Sequence, residues 1–257
     1  MRIATWNVNS IRARLPIVCS WLAEHRPDVL CLQETKVEDE KFPGEEFGKF
    51  GYQICFFGQR TYNGVAILSR SPVKDLCKGL PGLPEDEQRR FLAGTLNGIR
   101  ILNIYIPNGQ AVDSPKFLYK LHFVNRLRAF LETSHRPGEP LILLGDFNVA
   151  PEPEDVYSPE EWEGEVLFHP DARAAIGTLK AWGLVDLFRK HHAGPGHYTW
   201  WDYRVGAFRR NMGLRIDHIW ATQPVADRCG SCEIDRSPRA GERPSDHAPV
   251  IASIDGF

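Results

Sequence analysis

The sequence has no long hydrophobic run. No stretch approaches the ~20 apolar residues that a membrane-spanning helix needs, and the chain opens without the basic and apolar regions of a secretory leader. A cytosolic protein with no membrane partner is expected. Cysteine is sparse, with six scattered through 257 residues, which suits a reducing compartment better than a disulfide framework. Cys229-Gly-Ser-Cys232 has no second pair to complete a four-ligand zinc site, so plain loop cysteines are expected there. Charge of one sign is also lacking. A net charge of −2 excludes attraction to a polyanion through overall positive charge, so any attraction must be local. Neither a linker nor a repeat of fixed period is visible, and the Pro/Glu-rich stretch from Pro151 to Trp162 is short enough to be a surface loop. His191, His192 and His197 lie in a Gly/Pro-rich segment and are expected to be solvated. With 42% hydrophobic residues the chain can bury a large core, and one domain over residues 1–257 is expected.

What is present is a recurring form: an apolar strand that runs straight into a polar cluster. Leu141-Ile142-Leu143-Leu144 leads into Gly145-Asp146-Phe147-Asn148, Val29-Leu30-Cys31-Leu32 into Gln33-Glu34-Thr35-Lys36, and Ile3-Ala4-Thr5-Trp6 into Asn7-Val8-Asn9. Such runs read as strands buried on both faces, and polar groups past their C-terminal ends sit where open α/β sheets bind ligands. The segment Leu214 to Ile219 puts Asp217 in mid-strand, and Pro244 to Pro249 sets Asp246 beside His247 between two prolines. A buried carboxylate without a partner is costly, so several strand-linked carboxylates argue for a shared site. Helices are expected from Leu15 to His25 and after Ser114-Pro115, where Phe117, Leu121, Val124, Leu127 and Leu131 form a core stripe.

Arg204, Arg209, Arg210 and Arg215 crowd one region with Trp200, Trp201, Tyr203 and Phe208. Cations interleaved with aromatics suit phosphates and unstacked bases, and Arg12, Arg14, Arg89 and Arg90 would extend that groove.

The segments Trp6-Asn7-Val8-Asn9, Leu32-Gln33-Glu34-Thr35-Lys36, Asn63-Gly64-Val65-Ala66-Ile67, Asn103 to Gly109, Gly145-Asp146-Phe147-Asn148, Gly213 to Asp217 and Ser245-Asp246-His247 resemble, in order and spacing, the exonuclease III and apurinic/apyrimidinic endonuclease family. Gly-Asp-x-Asn and Ser-Asp-His are shared with a wider superfamily that includes deoxyribonuclease I and the inositol polyphosphate 5-phosphatases. The Gln-Glu-Thr-Lys, Tyr-x-Pro-Asn-Gly and Arg-Ile-Asp segments narrow the resemblance to the DNA-repair branch.

The resemblance implies an α/β fold of four layers, αββα, with two packed mixed sheets flanked by helices, like deoxyribonuclease I. It implies a monomeric Mg²⁺-dependent DNA phosphodiesterase, with Mn²⁺ as a substitute, acting on duplex DNA that carries abasic sites or blocked 3′ ends. Its activities would be cleavage 5′ to abasic sites and 3′-exonuclease, 3′-phosphatase and 3′-phosphodiesterase action. Glu34 and Asp246 are hard oxygen donors suited to Mg²⁺, with Asn7, Asp146, Asn148 and His247 as further members of the metal set. Asp146 is the candidate base, Asn148 a hydrogen-bond donor, Tyr105 a donor to phosphate or leaving group, and His247 a phosphate contact oriented by Asp217. Asn9 stands where the eukaryotic-type branch has an acidic residue and resembles the bacterial branch. Trp200, Leu214 and Ile216 fall where the family lines a pocket for a base-free sugar. Two other readings stay open: a relative acting on lipid or inositol phosphates, and a DNA-binding relative without catalysis.

Overall fold

The computed structural model describes residues 1–83 and 88–257. Its strands form two six-stranded sheets. Across the first run β11 (Cys229–Ile234), β12 (Val250–Ile254), β1 (Arg2–Asn7), β2 (Val29–Gln33), β4 (Val65–Ser69) and β3 (Gln53–Phe57); across the second run β5 (Lys74–Lys78), β6 (Phe91–Leu96), β7 (Ile99–Tyr105), β8 (Leu141–Asp146), β10 (Asp217–Thr222) and β9 (Leu184–Asp186). Both sheets are mixed: β1–β2 and β7–β8 are parallel, while β1–β12 and β8–β10 are antiparallel.

Side chains alternate between the faces of a strand, and here the alternation sorts the core into layers. Ile3, Cys31, Ile67, Ile101, Ile142, Leu144, Ile219 and Ala252 meet between the sheets. Their neighbours face outward. Ala4, Trp6, Leu30 and Leu32 pack under the helix Ile11–His25, and Leu102, Ile104, Leu141 and Leu143 under the helices Pro115–Ser134 and Pro170–Gly183. The expected four-layer sandwich is therefore present. Gly145 is required for the close pairing just before Asp146: at φ 142° it has a conformation that side chains disfavour, and a Cβ there would lie 1.9 Å from the Ile104 carbonyl oxygen.

Several local expectations need correction. The first helix starts at Ile11, one turn before Leu15. Asp217 opens β10 instead of sitting within it. Cys229 and Cys232 are buried in strand β11, not in a loop. His192 is half-buried, stacked on Phe188 at 4.4 Å, with its Nε2 2.8 Å from the Cys232 carbonyl oxygen. The stretch Pro151 to Trp162 is anchored inside by Asp155, which is 0% exposed.

Asp155 is buried because of Arg215. Arg215 is not a groove residue: it is 1% exposed. Its Nε donates to Asp155 Oδ1 at 2.7 Å and its Nη2 to Asp186 Oδ2 at 2.8 Å, while Arg189 also bonds Asp155. Burial opposes charge on Asp186, but the Arg215 guanidinium outweighs it and holds that carboxyl at about 2. Three distant segments are thus fastened two residues before Asp217. Removing one partner of a buried pair leaves an uncompensated charge and costs about 3–5 kcal/mol. Arg215→Leu should lose about that much unfolding free energy in a urea titration, and a loss under about 1 kcal/mol would show that water replaces the guanidinium. Because the Asp186 pKa is depressed on folding, its contribution is full above the ordinary carboxylate pKa and is lost as pH falls from about 4 toward 2. The Arg215→Leu protein should therefore lose less stability than wild type over that acid window.

Candidate active site

The inward alternation ends in polar residues at one edge of the sandwich. Asn7, Gln33, Tyr105 and Asp146 are the last residues of β1, β2, β7 and β8, and Asp217, the first of antiparallel β10, pairs with Asp146. Continuing past β2, the chain bends at Glu34 and Lys36, both at φ 51°. The loop before β12 brings in Ser245, Asp246 and His247: Ser245 Oγ donates to the Asn7 carbonyl at 2.7 Å. Segment Thr199–Trp201 lies between this loop and the lead into β10. Ala248 N donates to the Thr199 carbonyl at 2.7 Å and Trp201 N to the Asp246 carbonyl at 3.1 Å. Thr199 Oγ1 accepts from the backbone N–H groups of Ile216 and Asp217, both at 3.0 Å.

Asp146 is at the centre and fully buried. Its Oδ1 accepts from Asn148 N at 2.8 Å, and its Oδ2 from Asn7 Nδ2 at 2.8 Å and Asn148 Nδ2 at 3.2 Å. Asn7 Nδ2 also donates to Glu34 Oε1 at 2.9 Å, and Tyr105 Oη donates to the same oxygen at 2.9 Å. Because Asn7 Oδ1 accepts from Asn9 N at 3.0 Å, the side-chain amide turns its Nδ2 donor to the carboxylates and bridges them. His247 Nδ1 lies 2.8 Å from Asp217 Oδ2, and His247 Nε2 lies 3.9 Å from Asp146 Oδ2. Asp246 is occupied from two sides, by Asn9 Nδ2 at 2.9 Å and Trp200 Nε1 at 3.0 Å.

Charge is distributed unevenly. Burial raises the Asp146 carboxyl to about 8, helped by the Asp217 and Glu34 carboxylates and opposed by His247. Burial works against charge on His247, but Asp217, Asp146 and Asp246 outweigh it and lift the imidazole to about 10. An imidazolium this stable is a poor metal ligand and a good phosphate contact. On Glu34 burial is outweighed by Lys36, whose Nζ is 2.7 Å from Glu34 Oε2, and the carboxyl is lowered. Burial and the Glu34 charge hold the Tyr105 phenol well above its usual range. Glu34, Asp146 and His247 offer ligand atoms within 4.8 Å of one another. The two hard carboxylates of that group fit a divalent oxygen-loving cation held chiefly by Glu34 and Asp146.

The expected DNA-contact residues separate into two groups. Arg209 and Arg210 are exposed, while Arg204 is exposed but paired with Asp202. Arg14 is tied to the site by bonds to the Asn9 carbonyl at 2.7 Å and Tyr203 Oη at 3.0 Å; Arg89 lies on the Phe57 ring and Arg90 on the Tyr105 ring. Arg12 is exposed. Leu214 and Ile216, expected as pocket walls, are 0% and 1% exposed. They pack with Val156, Leu167 and Phe168 against Trp200, so of the three expected pocket residues Trp200 alone offers surface to a ligand. Sequence reasoning missed Lys36, Thr199 and Lys120. Lys120 is buried directly behind Asn148, and burial lowers its pKa to about 7, against the pull of Asp146.

A cation binds ionised carboxylates, and Asp146 holds a proton at pH 7 while its pKa stands near 8. Binding of Mg²⁺ or Mn²⁺ should therefore release a proton, and affinity should rise from pH 6 to 8 and then level. Calorimetric titration in two buffers of different ionisation enthalpy measures that release. A binding enthalpy independent of buffer would contradict it.

Comparison with known proteins agrees with this geometry. A profile of the Endonuclease/Exonuclease/phosphatase family matches residues 4–247. The chain is 36% identical to exodeoxyribonuclease III of Haemophilus influenzae, over 99% of this chain and 100% of that one. It superposes on an AP endonuclease from Archaeoglobus fulgidus with a TM-score of 0.97 at 46% identity, and on the 3′ phosphatase NExo from Neisseria bound to product DNA hairpin with 0.95 at 45%, each over 100% of both chains. With strand order, mouth and match in accord, the chain belongs to the endonuclease/exonuclease/phosphatase family.

Proposed function

We propose that this protein is a Mg²⁺-dependent DNA-repair phosphodiesterase, with Mn²⁺ as a substitute, formed by one domain over residues 1–257 and acting as a monomer in the cytoplasm. It cleaves duplex DNA 5′ to abasic sites and works on 3′ ends as an exonuclease, phosphatase and phosphodiesterase. The observation that carries this is the pairing of Asp146 with His247: a fully buried carboxyl faces an imidazole 3.9 Å away that Asp217 orients from the other side.

Burial and the neighbouring carboxylates raise the proton affinity of Asp146, the property that a general base needs. In the proposed reaction it takes a proton from water as the oxygen attacks phosphorus and the bond to the leaving 3′ oxygen breaks. His247 Nε2 donates to a non-bridging oxygen, where charge accumulates, while Asn148 holds Asp146 in place through its N and Nδ2. Tyr105, whose Oη donates to Glu34 Oε1 at rest, would turn that proton to the leaving 3′ oxygen. A divalent cation held by Glu34 and Asp146, which Asn7 bridges, would draw charge from the phosphate.

Preference for a missing base rests on Trp200. Its ring lies beside Asp246, against the closed Leu214 and Ile216 cluster, where a bare sugar can approach. Turning out an abasic residue forgoes the few kcal/mol of unstacking an intact base demands. Arg209, Arg210 and Asn9 would hold the flanking phosphates.

The deciding assay is single-turnover cleavage of an abasic duplex oligonucleotide with Mg²⁺ and then with EDTA. Activity should vanish with EDTA. Asp146→Asn and His247→Asn should each lower the rate by roughly two powers of ten or more, with the dissociation constant for abasic DNA in EDTA little changed. Binding lost in step with rate would make these residues structural, and cleavage in EDTA would remove the metal from the mechanism.

A further inference from the structure

Lys120 is 0% exposed on the inner face of the helix Pro115–Ser134. Dehydrating an ammonium is costly unless each proton finds a partner, and a methionine would fill similar space without that cost. All three donors of Lys120 are used. Its Nζ donates to the carbonyls of Asn108 at 3.1 Å, Asn148 at 2.7 Å and Val166 at 2.7 Å. Its partners are carbonyls, not carboxylates.

Those carbonyls belong to segments that otherwise meet only pairwise. Asn148 stands at φ 51°, in the left-handed region, which asparagine adopts more readily than other side chains. Asn108 Nδ2 donates to Asn148 Oδ1 at 3.1 Å, and Asn148 Nδ2 to the Ile106 carbonyl at 2.9 Å. Ile106 N in turn donates to the Asp146 carbonyl at 2.9 Å, and Ala150 N to the Leu167 carbonyl at 2.8 Å. The chain crosses tightly over the lysine stem: a Cβ on Gly109 would lie 3.3 Å from Lys120 Cδ and 2.8 Å from Val166 Cγ2.

We propose that Lys120 is a positioning residue for the reaction: its buried amino group clamps these three segments together behind Asn148 and so fixes where Asn148 holds Asp146 against the phosphodiester. This rests on the function proposed above. The lysine acts through the backbone and touches no substrate.

The full chain carrying Lys120→Met is compared with Leu127→Ala, a 0% exposed core residue of the same helix. Displacing a catalytic group by about 1 Å costs on the order of a hundredfold in rate, so Lys120→Met should lose about ten- to a hundredfold in single-turnover rate while its affinity for DNA changes less than about threefold. Leu127→Ala should lose stability and keep its rate at a temperature where it stays folded. Hydrogen–deuterium exchange should quicken in Lys120→Met around residues 106–110, 146–150 and 166–168, and not in Leu127→Ala. A folded Lys120→Met protein with wild-type rate and exchange overturns the proposal, as does an equal rate loss in both variants. Should Lys120→Met fail to fold, Lys120→Gln enters the same comparison, and failure of both overturns the proposal by making the lysine a folding determinant. If wild-type protein leaves abasic DNA uncut, the proposed function fails, and the exchange map alone then decides the clamp.

Discussion

The two-residue period of the strands is the constraint on which the site depends. Side chains on alternate positions share a face, and in β1, β2, β7 and β8 the series that packs between the sheets ends on a polar residue. Thr5 precedes Asn7, Cys31 precedes Gln33, Asn103 precedes Tyr105, and Leu144 precedes Asp146. A slip of one residue would turn each outward under the helices. Sheets stacked about 10 Å apart let side chains from opposite layers meet, which is how Asn7 of one sheet reaches Asp146 of the other at 2.8 Å. Buried polar bonds lock the spacing beneath: Gln33 Nε2 donates to Asn103 Oδ1 at 2.8 Å, and Asn103 Nδ2 to the Leu32 and Ala66 carbonyls.

Crowding carboxylates into that mouth creates an electrostatic debt that the protein meets with its own groups. The Asn7 amide sits between Glu34 and Asp146, Lys36 takes the other side of Glu34, and the imidazolium of His247 stands between Asp217 and Asp146. The compensation is incomplete at Asp146, which therefore keeps a high proton affinity. The burial that makes this carboxyl expensive to ionise also makes it basic enough to take a proton.

Much of this was legible in the sequence because the signals are local. The run Leu141 to Leu144 ending in Asp146 is a strand buried on both faces, Glu34 and Asp217 lie at strand ends, and His247 lies in the short loop before β12. Long-range partnerships were not legible. Arg215 reads as one more cation in a basic, aromatic stretch, but its acidic partners are 60 and 29 residues away. Lys120 reads as a polar position on an amphipathic helix, and its three carbonyls lie 12, 28 and 46 residues off. Backbone acceptors leave no mark in composition. The enclosure of Leu214 and Ile216 was hidden for the same reason, since the segment that covers them, around Val156 and Leu167, shares no period with them.

The pairing of β1 with β12 has a consequence for synthesis. Asn7 and Ser245 are bonded across 238 residues, and Trp6 Nε1 donates to the His247 carbonyl across 241. Contacts so distant in sequence form late, because the whole intervening loop must be closed first. While the chain is still emerging from the ribosome, β1 has no β12 beside it and His247 does not yet exist. A nascent chain thus carries Glu34 and Asp146 before the imidazole that stands between Asp146 and Asp217, so the charge balance of the site is completed only after residue 247 has been made.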